Sequence, residues 1–228
     1  MTELNKDLHS IKEAINLAEN QAGIKANSVQ LLAVSKTQTA EVIRQVAEAG
    51  QLYFGENYIQ EALIKINSLL DLKLEWHFIG PIQSNKTRDI AQNFDWVQTV
   101  DRLKIAQRLD NQRPSNLNKL NICIQINIDD ESTKSGIAAK DLLELADQIS
   151  LLNNLKLRGL MIIPTNTNDP LQQQQSFKQA HLLFKQLAKI YPSVDTLSMG
   201  MSGDMATAIA EGSTMVRIGT ALFGIRKT

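Results

Sequence analysis

Leu31-Leu32-Ala33-Val34-Ser35 is a run of small and apolar residues, and a single cation, Lys36, stands at its C-terminal end. Such a run reads as a buried strand, and in parallel α/β proteins chemistry is carried out at the C-terminal ends of strands. A lysine amine becomes a nucleophile toward a carbonyl carbon when desolvation or a neighbouring cation lowers its pKa. Taken alone, Lys36 reads most simply as the first polar residue of a loop. The other strand ends must decide.

Two of them add small and hydroxylic residues. Ser198-Met199-Gly200-Met201-Ser202-Gly203-Asp204 precedes Met205-Ala206-Thr207-Ala208, which reads as a helix start, and Gly219-Thr220 repeats the pattern after Met215-Val216-Arg217-Ile218. Small residues let backbone N–H groups approach an anion, hydroxyls add donors, and a helix start favours negative charge. Turn chemistry alone would explain Gly200 and Gly203. Paired with Ser202 and Thr220 on neighbouring strand ends, a phosphate site is the better reading. A phosphate site beside a lysine points to Schiff-base chemistry. Arg217 would keep that pocket electropositive if it faces inward, which the parity of one strand leaves open.

The remaining candidates carry less. His77, between Trp76 and Phe78, reads as a hydrogen-bonded wall residue, and His9 and His181 fall in predicted helices. No set of His, Cys, Asp and Glu has metal-ligand spacing, and no phosphate-binding P-loop or Gly-x-Ser-x-Gly motif is present.

Positioning these residues requires a repeating scaffold. Strands are predicted to begin near residues 31, 52, 75, 95, 121, 157, 195 and 215, with a helical segment between each pair. Strict βα alternation implies parallel strands, and eight units in this length fit a (β/α)₈ TIM barrel, with a doubly wound open sheet as competitor. Leu4, Leu8, Ile11, Ile15 and Ala18 place an extra amphipathic helix over 2–22, able to close one end of the barrel or flank it. Thr39 is expected to cap a helix to Ala49, Ser84 to open one to Asn93, and Asp101 to cap one over 102–111. Further helices are expected over 138–152 and from Gln172 to about Ile190. The loop 129–136 is long for a barrel connection, which favours a functional loop.

Length and composition bound the function. The 228 residues suit one domain spanning 1–228, and no break in composition marks a second. Lys plus Arg and Asp plus Glu are 24 each, which argues against a nucleic-acid coat or an anionic-membrane binder. The only cysteine, Cys123, lies in an apolar run and reads as a small buried hydrophobe. Neither a secretion signal nor a stretch of roughly 18 apolar residues appears, so a cytoplasmic protein is expected. With no apolar stripe demanding a partner, it is read as a monomer.

The motifs resemble one family closely. Ala33-Val34-Ser35-Lys36, the segment Phe54-Gly55-Glu56-Asn57-Tyr58-Ile59-Gln60-Glu61, and Trp76-His77-Phe78-Ile79-Gly80-Pro81-Ile82-Gln83-Ser84-Asn85-Lys86 carry the resemblance, with Lys134-Ser135-Gly136 and Gly159-Leu160-Met161. Leu197-Ser198-Met199-Gly200-Met201-Ser202-Gly203-Asp204 and Val216-Arg217-Ile218-Gly219-Thr220-Ala221-Leu222-Phe223-Gly224 complete it. The chain resembles the pyridoxal phosphate homeostasis proteins, one-domain relatives of the alanine racemase N-terminal barrel of fold type III. The resemblance implies that Lys36 holds pyridoxal 5′-phosphate as a Schiff base and that Ser202, Gly219 and Thr220 hold its phosphate, with Ser198 and Gly200 supporting the turn. It implies that Arg217 faces the pyridine nitrogen, that Asn57 and His77 line the pocket, and that Met161 forms a wall.

Ile162-Ile163-Pro164 departs from the family pattern, where another residue often precedes the proline. A cation at the ring nitrogen disfavours its protonation and weakens the ring as an electron sink. The racemases carry a further β-domain that supplies their second acid/base, and this sequence has no counterpart to it. The expected function is therefore a binding protein in vitamin B6 and amino-acid homeostasis without strong catalytic activity, with PLP-dependent apo-enzymes as recipients. A weak amino-acid racemase and a cofactor-free, aldolase-like barrel using Lys36 are the enzymatic alternatives.

Overall fold

Short apolar runs alternating with amphipathic segments leave each strand two faces to cover, one against helices and one against other strands. Closure of the sheet on itself satisfies both. The computed structural model, which describes residues 2–167 and 169–224, is a closed barrel of eight parallel strands in sequence order. These are β1 (Gln30–Val34), β2 (Tyr53–Glu56), β3 (Glu75–Phe78), β4 (Trp96–Val100), β5 (Leu120–Ile126), β6 (Leu155–Ile162), β7 (Thr196–Ser198) and β8 (Met215–Ile218). The closing pairs Gln30↔Met215, Leu31↔Val216, Leu32↔Arg217 and Ala33↔Ile218 exclude the open sheet.

The helices are α1 (Glu3–Gln21), α2 (Ala40–Glu48), α3 (Ile59–Ser68), α4 (Thr87–Asn93), α5 (Leu103–Gln112), α6 (Leu142–Ser150), α7 (Pro170–Ile190), α8 (Met205–Ala210) and α9 (Thr220–Phe223). Their inner faces and the outward strand residues form the main core, where Ile43, Phe54, Ile90, Phe94, Leu109 and Phe177 are fully buried. Each such side chain contributes about 1.5–3 kcal/mol. Two smaller clusters, Leu32–Ile79–Met215 and Trp96–Cys123–Met161, fill the barrel interior.

Helix α1 flanks the barrel, packed beside α2, α8 and α9, with Leu8, Ile11, Ile15 and Ala18 buried. Its Glu19, buried, accepts hydrogen bonds from the backbone N–H groups of Asn27, Ser28 and Val29 at 2.7–2.8 Å, which fixes the entry into β1.

Thr39 caps α2 as expected, its hydroxyl accepting from the Val42 N–H. Asp101 does not cap α5. Arg102 is the residue before the first turn, and the Asp101 carboxylate accepts from the Arg102 guanidinium at 2.6 Å instead. The helices expected from Ser84 and over 138–152 each begin as a 3₁₀ turn, Ser84–Lys86 and Ala139–Asp141. Helix α7 starts at Pro170, two residues before the predicted Gln172, because Asp169 accepts from the Leu171 N–H and proline suits the first turn.

Candidate functional site

Lys36 follows β1 by two residues and is half-buried at the C-terminal mouth of the barrel. Its neighbours on both sides are pinned. Before it, the Ser35 hydroxyl donates to Glu56 Oε1 at 2.6 Å, and the Ser35 carbonyl accepts from Lys65 Nζ at 2.8 Å. After it, the Thr37 N–H donates to Glu61 Oε1, and Thr37 sits at φ 69°, a left-handed turn that a threonine adopts at a cost. Lys65 Nζ also donates to Glu56 Oε1 at 2.8 Å and to Glu61 Oε1, tying β2 and α3 to the same turn. Glu56, the last residue of β2, is fully buried against Lys65. Burial pushes its carboxyl above the usual range, and the Lys65 ammonium and Ser35 hydroxyl offset this only in part.

A cavity of about 310 Å³ opens beside Lys36. Of the residues singled out in the sequence, it brings together Lys36, Asn57, Met161, Ser202, Arg217, Gly219 and Thr220. Val34, Ile79, Ile163, Met201 and Gly203 complete the lining. Two cations and no carboxylate stand among these described residues, so the cavity favours an anionic ligand. Asn57 Oδ1 is buried with no hydrogen-bond partner among the described residues, leaving an acceptor for a guest. The Asn57 backbone lies against Gly80, where an added Cβ would come within 2.2 Å of the Asn57 carbonyl oxygen.

Arg217 turns inward and is 4% exposed. Nη1 donates to Ser198 Oγ and Nη2 to the Ile162 carbonyl, both at 2.8 Å. Burial pushes the guanidinium down to about 10, so it remains a cation at neutral pH.

Three candidates stand one layer below the cavity rather than in its wall. Ser198 bonds Arg217 from beneath. Gly200 accepts from the Arg217 N–H at 2.9 Å, and its φ of +95° and an added Cβ only 2.6 Å from Ala208 Cβ both require glycine. His77 is fully buried, stacks on Trp96 with ring centroids 5.0 Å apart, and faces Gln98 and Glu75. Burial lowers its pKa, with Glu75 opposing, so the ring is held neutral.

The loop 129–136 meets the mouth from the other side. A second cavity, about 280 Å³, shares Asn57, Ile79 and Ile163 with the first and adds Thr99, Gln125, Lys134 and Ser135. A larger cavity, about 550 Å³, lies at the opposite end between α1 and the starts of β1 and β2, with Lys12 its one charged lining residue. It is larger than the cavity beside Lys36, but it lacks the strand ends, the buried arginine and the paired hydroxyls. Among the described residues no cluster of potential metal ligands occurs, and no helix is long and apolar enough to cross a membrane.

Comparison with known proteins gives a concordant picture. Residues 7–227 match the family model of the alanine racemase N-terminal domain. The chain is 54% identical over 227 residues, 98% of this chain and 97% of the relative, to a pyridoxal phosphate homeostasis protein of Pasteurella multocida. It is 36% identical to PipY of Synechococcus elongatus, solved with PLP bound, over 97% of this chain and all of that one, with a TM-score of 0.83. An alanine racemase from Corynebacterium glutamicum shares the fold at 16% identity and a TM-score of 0.70, with 96% of this chain matched to 62% of that one.

Proposed function

The chain belongs to the alanine racemase N-terminal domain family, and within it to the pyridoxal phosphate homeostasis proteins, and we propose that it holds pyridoxal 5′-phosphate on Lys36. One observation carries the reading. A half-buried lysine and a buried arginine face a single cavity whose described lining has no carboxylate. Its volume of about 310 Å³ lies at the lower edge of small-molecule sites, which span roughly 300–1,000 Å³.

The residues present fit the cofactor. When bound, it supplies an aldehyde that condenses with Lys36 Nζ, the carbonyl oxygen leaving as water. Ser202, Thr220 and the small residues Gly203 and Gly219 would receive the phosphate, where the two hydroxyls and close backbone approach suit an anion. Asn57 offers its unpaired Oδ1, and the apolar lining residues Met161, Ile79 and Ile163 would help exclude water from the bound group. Arg217, a buried cation in the lining, would face the ring nitrogen and, as a cation, would disfavour its protonation. Carbanion stabilisation would then be damped, which would favour retention over turnover.

The same proposal takes the chain as one cofactor-binding domain over 1–228, acting as a cytoplasmic monomer and passing its cargo to PLP-dependent apo-enzymes. Racemisation has less behind it, since the likeness to alanine racemases at 16% identity bears on the fold alone. Titration of the purified protein with pyridoxal 5′-phosphate should raise a visible imine band that borohydride abolishes. Lys36→Ala should not form that band, and a variant that kept it would remove Lys36 from the assignment.

A further inference from the structure

A single line of side chains runs through the barrel interior from the base to the cavity. Arg217 Nη1 donates to Ser198 Oγ at 2.8 Å, and Ser198 Oγ donates to Gln98 Oε1 at 2.7 Å. Gln98 Nε2 faces His77 Nδ1 at 2.9 Å, and His77 Nε2 faces Glu75 Oε1 at 3.1 Å. Four of the five are buried; Glu75, at the start of β3, keeps 38% of its side chain exposed.

The direction of this chain is set by its cationic end and by the Gln98 amide, whose Nε2 also donates to Met215 Sδ at 3.1 Å. A guanidinium only donates, so the Ser198 oxygen must accept from Arg217, and the serine hydrogen is left for Gln98 Oε1. That fixes the Gln98 amide with its N–H toward His77. His77 must then accept at Nδ1 and carry its one proton on Nε2, where the Glu75 carboxylate receives it. Every donor points away from the cavity, with a cation at one end and an anion at the other. A neutral His77 is required, since a proton on Nδ1 would set donor against donor, and its burial works in the same direction.

We propose that Glu75, His77 and Gln98 are positioning residues for Arg217, a one-way hydrogen-bond chain that fixes the guanidinium as a donor toward the bound ring from the far side of the barrel. The inference rests on the reading that pyridoxal 5′-phosphate sits in the Lys36 cavity. It gives His77, which does not line that cavity, a role there all the same. The chain also explains a glutamine in the middle of β4, where both faces are buried. Gln98 is the one member that must present an acceptor to Ser198 and a donor to His77 at once.

The first test needs no cofactor. Only three histidines are present, so ¹⁵N-histidine labelling resolves the His77 ring. The prediction is the neutral Nε2–H tautomer, and a proton on Nδ1 would overturn the chain. The second test uses the reconstituted protein, reading both affinity and the wavelength of the borohydride-reducible band. Gln98→Met keeps the shape and removes both hydrogen bonds of the chain together with the bond to Met215 Sδ, and His77→Phe removes the acceptor. Each should weaken binding roughly three- to tenfold and move the band.

His77→Asn, which restores an acceptor near Nδ1, should recover most of both signals. Folding is checked by circular dichroism, and if His77→Phe does not fold, Gln98→Met decides. Wild-type affinity and wavelength in a folded loss variant, or no recovery in His77→Asn, would overturn the positioning role while the Lys36 adduct stands. A wild-type protein without a reducible adduct on Lys36 would instead remove the cofactor reading itself.

Discussion

Lys65 and Arg217 are cations buried to nearly the same degree, 3% and 4% exposed, and both act close to Lys36. Lys65 meets two carboxylates, Glu56 and Glu61, together with the Ser35 carbonyl that precedes Lys36. Arg217 meets a hydroxyl and a carbonyl, Ser198 and Ile162, with no carboxylate within ion-pair distance among the described residues. The first cation is spent inside the fold, holding the backbone on either side of the lysine. The second is held in place by neutral groups, so its charge remains for whatever enters the cavity. Burial alone does not separate a structural cation from a functional one; the charge of its partners does.

The largest effect that would break this contrast lies on the Lys65 side. Lys65→Met leaves Glu56 buried without its cation and should cost about 3–5 kcal/mol in urea denaturation. Adding Glu56→Gln should recover much of that loss, because the stranded charge is then gone. A single variant as stable as the wild type would mean that Lys65 does not neutralise the pair.

Arg217→Met should behave the other way. Its partners are neutral, so the cofactor-free protein should stay within about 1 kcal/mol of the wild type. Its affinity for pyridoxal 5′-phosphate should fall at least roughly tenfold, with the charge-assisted bond lost. Large destabilisation with unchanged affinity would reverse the two assignments.

The smallest effect is in the pH dependence of Glu56. Burial, the largest cause, raises its carboxyl from 4.5, so the folded state binds this proton more tightly than the unfolded state. The group's contribution therefore favours folding below the unfolded value and is lost as pH rises through the folded one. Glu56→Gln cannot titrate there. Its stability relative to the wild type should increase as pH rises from about 4.5 through the raised pKa, measured by urea denaturation at a series of pH values. A difference independent of pH would show that burial does not shift this carboxyl.

Local patterns in the sequence locate the barrel and most of its mouth. The β1–β8 closure follows from eight βα units, and Lys36, Ser202, Gly219 and Thr220 follow from strand ends that collect on one face. Parity along one strand cannot orient Arg217, because β8 is buried on both faces and carries no polar alternation. Closure settles it, by pairing Leu32 with Arg217 across β1 and β8.

The supports of the site are harder to read. Glu61 and Lys65 lie on a surface-like helix pattern, and their convergence on Ser35 depends on how α3 packs beside β1 and β2. Gln98 leaves a faint trace, a polar residue inside Trp96-Val97-Gln98-Thr99-Val100. His77 was assigned to the pocket wall by its motif, whereas the register that sets it level with Trp96 places it beneath. The Asp101 cap failed for a local reason, since Arg102 takes its carboxylate.

The most direct measurement is peptide mapping after borohydride reduction of the protein loaded with pyridoxal 5′-phosphate. The prediction is a single stoichiometric pyridoxyl group on the peptide that carries Lys36. An unmodified Lys36 peptide, with the group on Lys65, Lys134 or another lysine, would contradict the account.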